Sequence, residues 1–312
     1  MKRRSPAAAG WPVLGLALAV AALAPRVSHA DPTGFAFLEI PSGARVSALA
    51  GAGESFAQGV DAAFWNPAAL DRVKGIQVEG SHYELYQDLR HDDFAVAGRL
   101  FGGGVSASLR ALYSGPIDET DDFGNVVGSF GAHDLDFALG YGASLGGGLE
   151  AGITGHVVRE RISNLGATTW AVDVGTRWEP VSAPRVLFSV GAYNMGPAAY
   201  YTIDGVKGAP VSLPAAIGAG GSYHFGLGSG LDLRTGLEGR VTRGRSGIGM
   251  IAGELTGLAG ASLRAGYRGN DSTSGFTAGV GYAFTALRLD YAYVPSALDL
   301  GDTHRFSFSA QF

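Results

Sequence analysis

Leu231-Asp232-Leu233-Arg234-Thr235-Gly236-Leu237-Glu238-Gly239-Arg240-Val241-Thr242 sets Leu231, Leu233, Leu237 and Val241 at one parity and Asp232, Arg234, Glu238 and Arg240 at the other. A strand sends successive side chains to opposite faces, so this segment has one apolar face and one carrying four charges. Four charges on one strand face need water, while the leucines need an apolar surrounding. The last residues repeat the pattern, with Phe306, Phe308, Ala310 and Phe312 opposed by Arg305, Ser307, Ser309 and Gln311.

The same period of two recurs along the chain. Leu287, Leu289, Tyr291 and Tyr293 oppose Arg288 and Asp290; Val105, Ala107, Leu109 and Ala111 oppose Ser106, Ser108 and Arg110. Leu135, Phe137, Leu139 and Tyr141 oppose Asp134 and Asp136, and Phe276, Ala278, Val280, Tyr282 and Phe284 form a further apolar face. In the segment from Thr168 to Trp178, Trp170 and Trp178 share the apolar face, opposite Asp173 and Arg177. Those tryptophans stand about 26 Å apart along a strand rising ~3.3 Å per residue. With a tilt of about 40° they span roughly 20 Å of depth, close to the apolar band between the aromatic girdles of a membrane barrel.

Alternation alone also fits a soluble β protein, with the apolar face turned inward. Three features favour the membrane: segments of about ten to twelve residues, longer than ordinary soluble strands; a wet face mixing Gly, Ser, Thr, Asp and Arg; and an alternating last segment ending at Phe312. The expected fold is all-β, a transmembrane antiparallel up-and-down β-barrel of about 14 strands with an amino-terminal lumen plug of short helices. Tight turns such as Gly102-Gly103-Gly104 and Gly146-Gly147-Gly148 are expected on the periplasmic side, and the longer connections Ser114 to Gly131 and Met195 to Pro210 outside.

Fifty glycines in 312 residues, with 46% hydrophobic and 16% charged residues, suit neither a helical bundle nor a disordered chain. The glycine must therefore serve turns, strands and close packing. A net charge of -5 with scattered signs removes the electrostatic case for nucleic acid. At the amino end, Lys2, Arg3 and Arg4, an apolar run from Val13 to Ala24, and Ser28-His29-Ala30 follow the order of a secretory leader, with cleavage expected after Ala30. No later apolar run reaches the roughly 20 residues of a spanning helix, so membrane residence requires a closed barrel. The expected organisation is a leader over 1–30, a plug over 31–74 and a barrel over 75–312, with the outer membrane as destination.

The plug segment does not alternate. It carries Gly43-Ala44-Arg45, the small-residue cluster from Ala48 to Gly53, and Phe64-Trp65-Asn66-Pro67-Ala68-Ala69-Leu70. Asn66 is placed to cap a helical turn with Pro67 at its first position. In this order of motifs, with Asn194-Met195-Gly196-Pro197, Leu213-Pro214 and the ending from Asp290 to Ser307, the chain resembles the PorV/PorQ family of FadL-like outer-membrane proteins. It departs at Ala69, where that family usually has glycine, and at Leu49, where methionine is common. The resemblance implies a fourteen-stranded barrel with its leading segment inside, and a non-enzymatic role in protein secretion or surface display, with secretion-machinery or cargo proteins as partners. The alternative it implies is a FadL-like transporter holding a hydrophobic small molecule near Phe56, Phe64, Trp65, Asn66 and Pro67. A transporter would show a continuous apolar pocket along the plug and a lateral opening; a docking protein would expose long apolar loops. Outer-membrane lipid and lipopolysaccharide are expected neighbours, and the apolar loop from Ala198 to Ile203 suits either these or a protein.

Enzymatic motifs are weak. Gly142-Ala143-Ser144-Leu145-Gly146 matches a nucleophile elbow but lies at a strand end rather than between a strand and a helix. Gly226, Gly228 and Gly230 read as a hairpin turn and lack the helix a dinucleotide site needs. His156 and His224 read as solvated lumen histidines without partners. Asp118, Glu119, Asp121 and Asp122 read as a solvated loop in preference to a calcium site, because the glycine and terminal glutamate of an EF-hand are missing. No cofactor, metal or catalytic residue is assigned.

Overall fold

In the computed structural model, which describes residues 33–312 apart from 87, 204–205, 273–274 and 297–300, the alternating segments become strands that close on themselves. The leader and its expected cleavage site lie outside the described residues. In chain order the first strands are β1 (Gln77–Glu84), β2 (Arg90–Leu100), β3 (Gly103–Tyr113), β4 (Ile117–Thr120), β5 (Val126–Phe130) and β6 (Ala132–Gly146). Then come β7 (Leu149–Ile162), β8 (Leu165–Trp178), β9 (Val186–Met195), β10 (Ala199–Ile203), β11 (Val206–Val211) and β12 (Ala216–Gly228). The last are β13 (Leu231–Thr242), β14 (Ile248–Leu258), β15 (Ala261–Gly269), β16 (Phe276–Phe284), β17 (Leu287–Val294) and β18 (Thr303–Gln311).

Fourteen of these form an antiparallel ring, closed where β1 pairs with β18 in the register Gln77 opposite Gln311 and Tyr83 opposite Arg305. The remaining four make two hairpins. Strands β4 and β5 pair only with each other, and β10–β11 reach back to the ring through Thr202 opposite Gly166. Both hairpins fall in the long connections expected outside the wall, Ser114 to Gly131 and Met195 to Pro210, with β11 ending one residue past Pro210 at Val211.

The connections divide between the rims as expected. Gly102 and the Gly146-Gly147-Gly148 turn lie on one rim, the one that carries the strand ends Gln77 and Gln311. All three glycines of that turn have positive φ, a conformation costly to other residues, and a Cβ on Gly148 would strike the Glu179 carbonyl. The β4–β5 and β10–β11 hairpins rise from the opposite rim. The expected apolar loop is therefore a hairpin: Ala199 is buried and Tyr201 packs on the Phe35–Leu38 cluster, while Tyr200 stays exposed.

Which face points inward decides between the soluble and the membrane barrel. Trp170 and Trp178 are 56% and 46% exposed on the outer wall, as are Phe306 and Phe308, whereas Asp136, Arg177 and Glu238 are buried inside. A soluble barrel would have the reverse. A closed wall with apolar side chains outermost suits lipid. Leu139, at the middle of β6, is part of this outer surface. Leu139→Arg is expected to cost about 2–4 kcal/mol in reversible urea unfolding from lipid vesicles; no loss would place Leu139 away from hydrocarbon.

Candidate functional site

The plug consists of five short helical turns, Ala36–Glu39, Ala44–Ser47, Gly53–Phe56, Gly59–Ala63 and Pro67–Arg72. Helices this short do not persist alone in water. Each is held by the wall around it.

Pro67–Arg72 starts as the Asn-Pro pair implies, with Pro67 in its first turn and the Asn66 side chain accepting a bond from the Ala68 amide at 3.1 Å. It is a 3-10 turn lying on glycines of β3, β6, β7 and β8. A Cβ at Gly152 would come 2.5 Å from the Ala68 amide nitrogen, and one at Gly104, Gly142 or Gly175 would strike Leu70, Pro67 or Asn66. These four wall glycines thus serve backbone-to-wall contact. At Gly53–Phe56, Glu238 of β13 accepts the Glu54 and Ser55 amides at 3.0 and 2.7 Å and the Ser55 hydroxyl at 2.7 Å. A wall carboxylate therefore caps a plug helix, the electrostatically favoured end for an anion.

Arg45 is the strongest link. It donates to both oxygens of Glu254 on β14 at 2.9 and 2.6 Å, to Asp61 at 2.8 Å and to the Phe56 carbonyl at 3.0 Å, and is 1% exposed. Glu254 also receives Arg264, which reaches Asp290; Arg288 joins Asp290, Asp61 and Glu79. Burial alone would raise the Asp61 carboxyl, but Arg288 and Arg45 hold it below the ordinary value. The preceding glycine is also anchored: Gly43, at φ 76, donates its amide to Asp93, and the next amide, of Ala44, donates to Ser307.

Between the plug and the hairpin-bearing rim lies a cavity of about 1190 Å³, whose lining includes Phe37, Leu38, Trp65, Tyr193, Arg240 and Met250. The Arg240 guanidinium sits over the rings of Trp65 at 5.4 Å and Tyr193 at 5.2 Å, and 3.4 Å from Glu54. Tyr193 donates to Glu54 at 2.6 Å. Burial pushes the Glu54 carboxyl above its ordinary value against the pull of Arg240. The result is an aromatic floor around Arg240 beneath a side wall led by Phe37 and Leu38, with Arg245, Arg268, Arg305, Glu39 and Asp271 also on the lining.

Of the five residues expected near a ligand, only Trp65 lines this vestibule; its indole donates to the Ser42 carbonyl at 3.2 Å. Phe56 is fully buried against Leu49, Ala52, Met250 and Ala252, with Arg234 over its ring at 5.0 Å. Phe64 packs between two apolar clusters of the plug, and Asn66 and Pro67 seat the last turn on the wall. Phe37 and Leu38 escaped the sequence reading, although Phe35-Ala36-Phe37-Leu38 is the most apolar stretch of the leading segment.

A second cavity of about 510 Å³ opens at the other rim and shares no lining residue with the vestibule. A third, of about 900 Å³, lies along β15 to β18, β1 and β2, where the outward side chains Tyr282, Leu289, Phe306 and Phe308 flank Gly80.

Three solved structures of similar shape are described as a hydrocarbon channel and toluene transporters. A monoaromatic hydrocarbon channel, CymD, is matched over 86% of this chain and 97% of its own at 12% identity, with a TM-score of 0.60. The toluene transporter TbuX of Ralstonia pickettii is matched over 86% and 98% at 14% identity and a TM-score of 0.59, and the toluene transporter TodX of Pseudomonas putida over 85% and 95% at 12% and 0.56. At these identities the likeness is one of fold alone, a closed antiparallel β-barrel. No protein-family model matches the chain. No curated protein sequence matches it either.

His156 is a correction. It is buried, not solvated, with Nδ1 3.0 Å from Asp136 and Nε2 3.1 Å from Asp173, in a line that continues from Asp136 to Arg110. No serine is hydrogen-bonded to its ring among the described residues. In the acidic loop, Asp121 accepts the Phe123 and Asn125 amides at 2.9 Å, and the Asn125 side chain holds its carboxyl below the ordinary value. Among the described residues no group of three or more histidine or acidic side chains stands close enough to hold a metal.

Removing Arg45 would leave Glu254 and Asp61 each short of a partner inside the barrel. Arg45→Ala is expected to destabilise the plug by about 3–5 kcal/mol, the usual loss for one partner of a buried pair, seen as new proteolytic cleavage within 34–73 while the barrel stays heat-modifiable on gels. An uncut plug would show that packing on the glycine wall suffices.

Proposed function

We propose that the protein is a non-enzymatic outer-membrane channel that takes up hydrophobic small molecules through the vestibule above its plug, after export with a leader removed following Ala30. The observation that carries this reading is the vestibule itself: about 1190 Å³, walled by Phe37, Leu38 and Met250, floored by Trp65 and Tyr193, inside a barrel whose outer wall is apolar. A flat apolar or aromatic solute would leave water there and stack on the floor beside Arg240. The hydrocarbon channels of similar fold favour this alternative over the secretion role. The hairpin-bearing rim would face outside and the rim with Gln77 and Gln311 the periplasm.

The PorV/PorQ resemblance supports the second reading, docking of secreted proteins. Its strongest motif already has a structural task, since Asn66 caps a turn and Pro67 sits on glycine, so the motif does not by itself carry a secretion role. What favours docking is the β4–β5 hairpin, where Phe123 is 91% exposed and Val126 and Val127 are also bare.

Uptake of radiolabelled toluene into proteoliposomes discriminates the two. The wild type should exceed protein-free vesicles, and Leu38→Asp and Trp65→Ala should each slow entry on the order of tenfold, as for about 1.4 kcal/mol of lost apolar contact. Entry no faster than in empty vesicles, with exported proteins retained on the purified barrel, would reverse the order of the readings.

A further inference from the structure

We infer that the cavity at the rim carrying Gln77 and Gln311 binds a phosphate oxyanion. Six cations line it, Arg72, Lys74, Arg177, Arg185, Arg234 and Arg288, against the single carboxylate of Glu179. Two of the six are satisfied by the protein: Arg288 by Asp61, Glu79 and Asp290, and Arg72 by Glu150 and Glu179. The other four form no ion pair among the described residues.

Arg177 points to a ligand most directly. It is 3% exposed, and its Nε and Nη1 have no hydrogen-bond partner among the described residues. A buried guanidinium with free N–H groups is costly unless something else accepts them. Of the nearby carboxylates, Glu150, opposite Arg177 in the strand register, pairs through Oε1 with Arg72; its Oε2 has no hydrogen-bond partner among the described residues, yet it forms no ion pair with Arg177. Glu254, opposite Arg234, is held by Arg45 and Arg264, and Glu238 accepts the plug amides. Arg234 itself donates to the Ser222 hydroxyl at 3.2 Å and to the Ser55 carbonyl. Arg185 and Lys74 stand exposed at the mouth.

One buried and one partly buried guanidinium group, with two further cations at the entrance, favour a multivalent oxyanion over chloride, since the planar fork matches phosphate oxygens in pairs. At about 510 Å³ the cavity has room for inorganic phosphate, a phosphorylated solute or the headgroup of a phospholipid from the adjoining leaflet. It lies on the far side of the plug from the vestibule, so this site stands whether or not the vestibule admits hydrocarbons.

Calorimetric titration of the detergent-purified full chain with inorganic phosphate, against chloride of equal ionic strength, is paired with phosphorus NMR of lipid retained after extraction. Saturable phosphate binding, weakened about tenfold in Arg177→Gln and in Arg185→Gln, identifies a free phosphate. No free-phosphate binding, but retained phospholipid that both variants lose, identifies a headgroup. Arg185 lies at the exposed mouth, so its variant keeps the test valid if Arg177→Gln fails to fold. Neither phosphate nor retained phospholipid, or equal amounts in wild type and Arg185→Gln, overturns the site.

Discussion

A closed sheet in lipid leaves its inward face no solvent but what the lumen admits, so each charge carried there must find a partner inside the ring. That constraint explains why the plug is part of the fold. Arg45 and Asp61 come from the plug, Glu254, Arg264, Asp290, Arg288 and Glu79 from the wall, and together they form one buried network. Arg45 bonds to Glu254 and Asp61 to Arg288, so each half loses partners without the other. The same logic places Glu238 on the Gly53–Phe56 amides and Asp93 on the Gly43 amide.

Glycine makes these charge contacts reachable. Where the plug backbone lies against β3, β6, β7 and β8, the wall offers Gly104, Gly142, Gly152 and Gly175 instead of side chains. The chain thus fills its lumen at one level with backbone on glycine and at another with ion pairs. What remains open are the vestibule on one side and the basic cavity on the other. Their linings differ in character: the vestibule mixes aromatic and apolar side chains with four arginines, Glu39 and Asp271, whereas the second cavity carries six cations against the one carboxylate of Glu179.

Most of the wall was legible in the sequence because alternation is local: Trp170 and Trp178 reveal their face within one strand. The cap at Asn66-Pro67 was legible for the same reason. The network was not, since Arg45 and Glu254 are 209 positions apart and no spacing announces a pair made by strand register. The ligand residues were only partly legible. Phe56, Phe64 and Trp65 are equally aromatic in the sequence, and only the position of the plug turns Trp65 toward the vestibule and buries Phe56 beneath Arg234. Similarly, Arg177 and Arg240 both stand on the wet face of alternating strands, yet among the described residues the Nε and Nη1 of Arg177 lack a partner while Arg240 stacks on two rings.

The central claim is one of direction: apolar side chains meet lipid and the plug does not. Trp65, Trp170 and Trp178 are the tryptophans of the described chain, one in the plug and two on the outer wall. Quenching of their fluorescence by lipids brominated along the acyl chain tests that direction most directly. In Trp65→Phe, which keeps both wall tryptophans, brominated bilayers should quench strongly; in the double variant Trp170→Phe and Trp178→Phe, which keeps Trp65, emission should be nearly unchanged. Strong quenching of Trp65 alone, with the wall tryptophans untouched, would contradict the account.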